Sequence, residues 1–412
     1  MTTHDKGILR RLATRLAEIS ALPVQEETRK LWHKLHRLEP ERTMFMIDEL
    51  PWHEMNWEDE LTLRCEDAVC RELETDLRRQ LYRWNHFRDD TVFDPVIYVP
   101  YAIEGLHYGL LVQEETTQLD SANTVKAHSY LDQLETEEDL EKLKPCKLTL
   151  NQALTQRREG AAREAFEGIL DVVMDGPEVY YAPWDRIIEW RGAEQWMYDV
   201  IENPEFIDKL VDKTIDCHLA LLDQLEENGW LMRMNRLVHC TGAWTNELPA
   251  QGYDPAKPRA KDVWTYGMAQ ILYMLSPEQH DRFEFSKAHR WYGRFGLGYY
   301  GCCEPLDDRF EYVKKIPNIR KISVSAWVKD YPGFARQLEG KYVYSVKPSP
   351  ARVAVPSAWN PQETEKELRF YKQCADDAGC PCELTLKDIS TVGYRPQSVW
   401  EWADIMRKIV LE

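Results

Sequence analysis

The second half of the chain concentrates thiol, imidazole and carboxylate groups. Cys302 and Cys303 are adjacent and run into Glu304 and Pro305. His239 precedes Cys240, and Asp388 follows Leu386 and Lys387. Thiolate, imidazole and carboxylate are the ligands zinc prefers, and a site with three protein ligands keeps a position open for a reacting group. Cys302, Cys303, His239 and Cys240 are therefore the candidate metal ligands. Glu304 and Asp388 are the candidate acid, base or ligand carboxylates. A buried thiol more often simply packs, and no spacing here matches a zinc finger. Cys380 and Cys382 form CxC rather than CxxC and read as structural.

A second group suits ligand binding. Of the fifteen Trp, Trp52, Trp57, Trp184, Trp190, Trp244, Trp264, Trp327 and Trp359 mostly fall in loops expected to follow strands, and Trp52, Trp184, Trp244 and Trp327 are the candidates for binding. Flat rings there can line a pocket for an aromatic or macrocyclic ligand, or pack the rim. Arg191 can hold a carboxylate or phosphate through its fork, or serve in an ion pair. Lys347 ends another strand-like run. Asp48 and Glu49 end the first one.

These residues need elements to place them. Short β-branched or aromatic runs occur at 43–48, 96–101, 187–190, 236–240, 297–303, 319–325, 341–346 and 383–389. Helix-like stretches lie between many of them. Residues 204–229 place Phe206, Leu210, Ile215 and Leu222 near a 3.6 period, and Ser276-Pro277-Glu278 carries a helix-start signature. Residues 308–315, 331–339, 362–378 and 397–411 read alike. Strand–helix alternation means parallel βα units. Eight runs predict an α/β fold, a closed (β/α)8 TIM-type barrel. Residues 1–90 form a helical N-terminal extension and 91–412 the barrel, whose first strand can lie at 43–48. An open doubly wound sheet is the alternative, but no G-x-G-x-x-G follows a strand. In a barrel, working residues sit at the C-terminal strand ends. Residues 105–185 are the least legible.

Alternation adds a condition. Neighbours in a strand face opposite ways, so Cys302 and Cys303 can both ligate only if the strand has already ended at Cys303. The same holds for His239 and Cys240.

Composition narrows the function classes. The 412 residues carry 70 acidic and 52 basic side chains, a net charge of -18. That balance argues against nucleic-acid binding, which needs a basic face. No run of eighteen apolar residues suggests a membrane span. The N-terminus reads as an amphipathic helix rather than a signal peptide. A cytoplasmic protein is expected, its ten Cys being thiols or ligands rather than disulfides.

Several blocks together resemble the uroporphyrinogen decarboxylase superfamily of (β/α)8 barrels. They are Trp184-Asp185 with Trp190-Arg191-Gly192, then Asn203-Pro204-Glu205-Phe206, YYGCCEPL at 299–306, KISVSAW at 321–327, VKPSPA at 346–351 and LKDIST at 386–391. The resemblance covers roughly 180–412. The decarboxylases of this superfamily open with an R-Q-A-G-R segment that grips propionates. Here Met46-Ile47-Asp48-Glu49-Leu50-Pro51-Trp52 stands there instead, which argues against a polyacidic substrate. The corrinoid-dependent methyltransferase branch carries a zinc-binding His-x-Cys-Gly motif and a later Cys. Cys303 matches the motif Cys, Gly301 takes the His position, and LKDIST holds no later Cys. Cys302, Glu304, His239 and Asp388 are the candidate substitutes.

The resemblance implies methyl transfer between a small methylated donor, such as an aryl methyl ether, and a corrinoid protein. Zn2+ or an acid would activate the leaving group. No D-x-H-x-x-G motif is present, so the corrinoid would arrive on another chain. The alternatives are decarboxylation of a porphyrinogen-like substrate, and a non-catalytic barrel that binds a corrinoid or another partner. The donor, the direction of transfer and a homodimeric state are left open by the sequence.

Overall fold

The structure is a computed structural model that describes residues 1–118, 121 and 126–412. Eight strands position the chemistry: β1 (Met44–Ile47), β2 (Val96–Pro100), β3 (Asp171–Asp175), β4 (Trp264–Gly267), β5 (Leu297–Tyr300), β6 (Ile319–Val324), β7 (Val343–Val346) and β8 (Cys382–Leu386). Six of them form one parallel sheet in the order β1-β8-β7-β6-β5-β4. It curls into a half-barrel. β2 and β3 form a separate parallel pair, and a single parallel bridge joins Tyr181 to Gly267 of β4.

The expected closed barrel is thus present only in part, for two local reasons. After β3 the chain reads Gly176-Pro177. Proline offers no ladder donor, so only Tyr181 reaches β4. At the other end, the outer amides of β1 are taken by side chains. Phe45 N–H donates to Asp90 at 2.8 Å and Ile47 N–H to Asp89 at 3.1 Å. With these donors satisfied, no ladder joins β1 to β2 among the described residues.

Two expected strands are different structures. Residues 187–190 belong to the helix Pro183–Arg191. Pro183 starts it, and Trp184, Ile187 and Trp190 recur at the three-residue spacing of one helical face. Residues 236–240 contribute to a hairpin, Leu237–Val238 against Thr241–Gly242, rather than to a barrel strand. Conversely, β3 and β4 lie outside the expected runs.

Most expected helices form. Pro204–Asn228 buries Phe206, Leu210, Ile215 and Leu222 and ends at Gly229 with φ +68°, the left-handed cap that glycine accepts without strain. Ser276 caps the next helix by accepting the Gln279 N–H at 3.2 Å. Thr3–Ser20, Pro23–His36 and Ala68–His86 are the first three helices. No helix among the described residues is long and apolar enough to cross a membrane.

Burial on both faces shapes the strand sequences. Ile322, Val324, Tyr344, Val346, Leu384 and Leu386 join the main hydrophobic core. Their alternates, Lys321, Ser323, Ser345, Glu383 and Thr385, are buried as well. Period-two alternation therefore divides an apolar outer layer from a polar interior. That interior positions the groups below.

Candidate functional site

The polar interior opens at the C-terminal ends of β1, β5 and β8. β5 ends at Tyr300, and Gly301 turns the chain at φ +99°. A side chain at 301 would meet Leu306 and Ser323, so glycine is required for both conformation and space. Because the strand has ended, Cys302 and Cys303 can converge. Their sulfurs are 3.6 Å apart, and Cys303 Sγ lies 3.7 Å from Asp388 Oδ2. The ligand atoms of Cys302, Cys303 and Asp388 all fall within 4.8 Å of one another.

Lys387 sits at the centre of this cluster. Its Nζ is 3.4 Å from Cys302 Sγ, 3.5 Å from His239 Nε2, and 3.4 Å from carboxylate oxygens of both Glu49 and Asp388. Burial works against its charge, but the surrounding thiols and carboxylates outweigh that and raise its pKa. The two cysteines respond oppositely. Cys302 is pushed up, first by its hydrogen bond with Cys303 and then by burial. Cys303 is drawn down by the same hydrogen bond, with help from Lys387. Of the two thiols, Cys303 is therefore the one that ionises first. Glu49 is raised by burial and by its hydrogen bond with Asp388.

The Leu237–Gly242 hairpin brings in His239 and Cys240. Both adopt positive φ, +46° and +70°, as a two-residue type I′ turn requires, although Asn-Gly suits that turn far better. The Lys347 ammonium donates to His239 O at 3.3 Å and holds the turn. The His239 ring stacks on Tyr266 at 4.9 Å. Burial, then Lys387, keeps its pKa well below the ordinary histidine value, so the ring is neutral. Glu49 and Asp388 also have positive φ, +48° and +57°. Four of the eleven left-handed non-glycine residues among the described residues therefore surround one cluster. Such conformations each cost about 1–3 kcal/mol and gather at functional sites.

No family model matches the sequence, and no curated protein matches it. Among solved structures, the fold is similar to that of a methyltransferase from Methanosarcina mazei, with a TM-score of 0.50 at 9% identity. The match covers 92% of this chain and 98% of the other.

The other sequence candidates are more dispersed. Glu304 is buried, its carboxylate accepting the N–H groups of Cys302 at 2.9 Å and Ala269 at 3.2 Å. It shapes the cysteine turn from below. Trp184 lies in the core against Trp196. Arg191 pairs with Asp199 at 2.7 Å and with Asp132. Trp52 and Trp244 line a cleft of about 380 Å³ between β1 and the end of β3. Trp327 is 70% exposed. Lys387 was not singled out from the sequence. The signal was available, since Glu383, Thr385 and Lys387 alternate as polar residues along a strand that is otherwise apolar.

Proposed function

We propose that the chain transfers a methyl group between a small methylated donor and a corrinoid carried by another protein, as in the methyltransferase branch of the uroporphyrinogen decarboxylase superfamily. The half-barrel and the β2–β3 pair would together be a relaxed (β/α)8 barrel. The observation that carries this assignment is the Cys302–Cys303–Asp388 cluster at the C-terminal strand ends. The likeness in fold to a methyltransferase agrees with it.

The donor set suits Zn2+. Two zinc–sulfur bonds of ~2.3 Å at a tetrahedral angle separate the sulfurs by ~3.8 Å, and here they are 3.6 Å apart. Cys302, Cys303 and Asp388 would hold the ion, leaving one position open. Bound there, it would supply Lewis acidity toward the leaving or attacking heteroatom. Lys387 offsets the negative charge of the thiolate and carboxylates and orients Cys302. Glu49 backs the cluster, its side chain accepting the Asp388 N–H at 3.2 Å. The neutral His239 ring and Tyr266 wall the site.

The test is the metal content of protein purified without oxygen or chelator, beside a Cys302→Ser/Cys303→Ser variant. About one zinc per chain, lost in the variant, is expected. A metal-free wild type would remove zinc from the assignment. Spectral change of a Co(I) corrinoid protein on adding donors then tests transfer, and its absence across donor classes would leave a non-catalytic barrel. Carbon dioxide release from a porphyrinogen would replace the assignment with decarboxylation.

A further inference from the structure

A second cavity, of about 330 Å³, adjoins the cluster. Its walls include the rings of Tyr108, Tyr180, Trp190 and Trp291, and it also carries Glu178 and Asp185. Ala182 lines it and belongs to the same small hydrophobic cluster as Met268 and Cys302. Tyr180 stacks on Tyr266 at 4.8 Å, and Tyr266 stacks in turn on His239. The Ala182 cluster thus lies between the cavity and the cysteine turn, and two stacked rings lie between the cavity and the imidazole.

Its charge is mostly negative: Glu178, Asp185 and Glu189 stand against Arg186, with His107 and His218 as the imidazoles of the lining. Arg186 is engaged by Glu189 at 2.6 Å, so that pair is neutral. His218, which also lines the cavity, is held down to about 4 by burial and adds no charge. Glu178 is deeply set, and among the described residues it receives one hydrogen bond, from Asn235 at 3.4 Å. Asp185 receives none among the described residues. Burial raises both acids, Glu178 to about 7 and Asp185 to about 6, the latter also repelled by Glu189. Arg186 also attracts Asp185, but three carboxylates on this lining face one guanidinium, and carboxylates in excess beside aromatic faces attract a weakly hydrated cation through both charge and ring quadrupole.

We infer that this cavity binds an alkylated ammonium, the cationic group of the substrate. This rests on the methyl-transfer assignment for the word substrate, but not for binding. It narrows the donor from a neutral aryl methyl ether to a methylated compound that also carries a positive charge.

Calorimetry with choline and its neutral isostere 3,3-dimethylbutan-1-ol tests the inference on wild-type protein, with no activity assay. Choline should bind at least tenfold more tightly than the alcohol. Its affinity should fall as pH drops from 7.5 to 5, because protonating Glu178 and Asp185 removes the attraction. Asp185→Asn should weaken choline about tenfold and leave the alcohol unchanged. Tyr180→Leu, at a partly exposed position, should weaken choline with the fold intact by circular dichroism. Equal binding of the two probes, or no choline binding at pH 7.5, would overturn it. The zinc and corrinoid assays fail independently. Choline binding without metal or transfer would sink the methyl-transfer assignment and leave the cation site standing.

Discussion

Lys321 and Lys387 are both buried lysines reaching inside the curled sheet, and they are placed very differently. Lys321 lies toward the N-terminal end. Its Nζ is 2.8 Å from Glu383 and 2.6 Å from Gly242 O, between the rings of Trp32 and Trp264. Neither side chain of that ion pair is exposed. Burial still wins over Glu383 and lowers the lysine to about 8. Lys387, at the C-terminal end, has four partners at 3.4–3.5 Å and none closer among the described residues. Two of them, Glu49 and Asp388, are nearly half exposed. Buried charge alone therefore does not mark a site. Short, dedicated pairing sets the structural lysine apart, whereas loose and shared pairing that reaches solvent is what distinguishes the candidate site.

The largest effect should come from breaking the tight pair. Lys321→Met leaves Glu383 buried without a counter-charge and should cost about 3–5 kcal/mol in urea unfolding, whereas Lys321→Met/Glu383→Leu should recover most of it. Metal content should not change in either, and loss of metal with normal stability would reverse the two roles. Next comes Cys302→Ser/Cys303→Ser. Losing Lewis-acid assistance should slow methyl transfer roughly a hundredfold, about 3 kcal/mol. Its unfolding midpoint should stay near wild type, and a collapse would make the cysteines structural.

Lys387→Met sharpens the contrast. Lys387 favours the thiolate, so its removal raises the Cys303 pKa. In chelator-treated protein at pH 7.5, alkylation of Cys303 should slow about tenfold for each unit of rise. An unchanged rate would show that the ammonium does not poise the thiol. The smallest effect concerns Asp185. Its pKa is raised to about 6 in the folded protein, so between roughly pH 4 and pH 6 the folded state holds a proton that the unfolded state has released. Stability from this group is present below pH 4 and lost as pH rises through 6. Asp185→Asn should therefore be more stable than wild type by about 1 kcal/mol at pH 7, allowing for solvent screening, and equal to it near pH 4. No gain at pH 7 would mean the charge is already compensated.

Much of this architecture was legible in advance. The runs at 43–48, 96–101, 297–303, 319–325, 341–346 and 383–389 all contain strands, and Gly301 ends β5 early enough for both cysteines to converge. Residues 187–190 misled because two Ile and a Trp are common to a strand and to one helical face. Trp-Thr-Tyr-Gly at 264–267 was missed, although strands of the same length at 44–47, 297–300 and 343–346 were found. The hairpin was read as a strand because His239-Cys240 carries none of the usual turn residues. Adjacency in the fold was hidden: nothing in the spacing of Glu49, His239, Cys302 and Lys387 says that one ammonium or its neighbours would join them. Burial was hidden too, which is why Trp184 and Arg191 looked available for ligands.

The hairpin turn sets a trap for anyone who tries to make this protein hardier. A designer guided by backbone preference would write Asn-Gly at 239–240, relieve two left-handed residues, and record a higher melting temperature. The same change would delete the imidazole beside Lys387 and the thiol near Glu49. Selection by heat alone would thus move the chain steadily away from its own chemistry, and a library ranked on thermal survival should be depleted in His239 and Cys240.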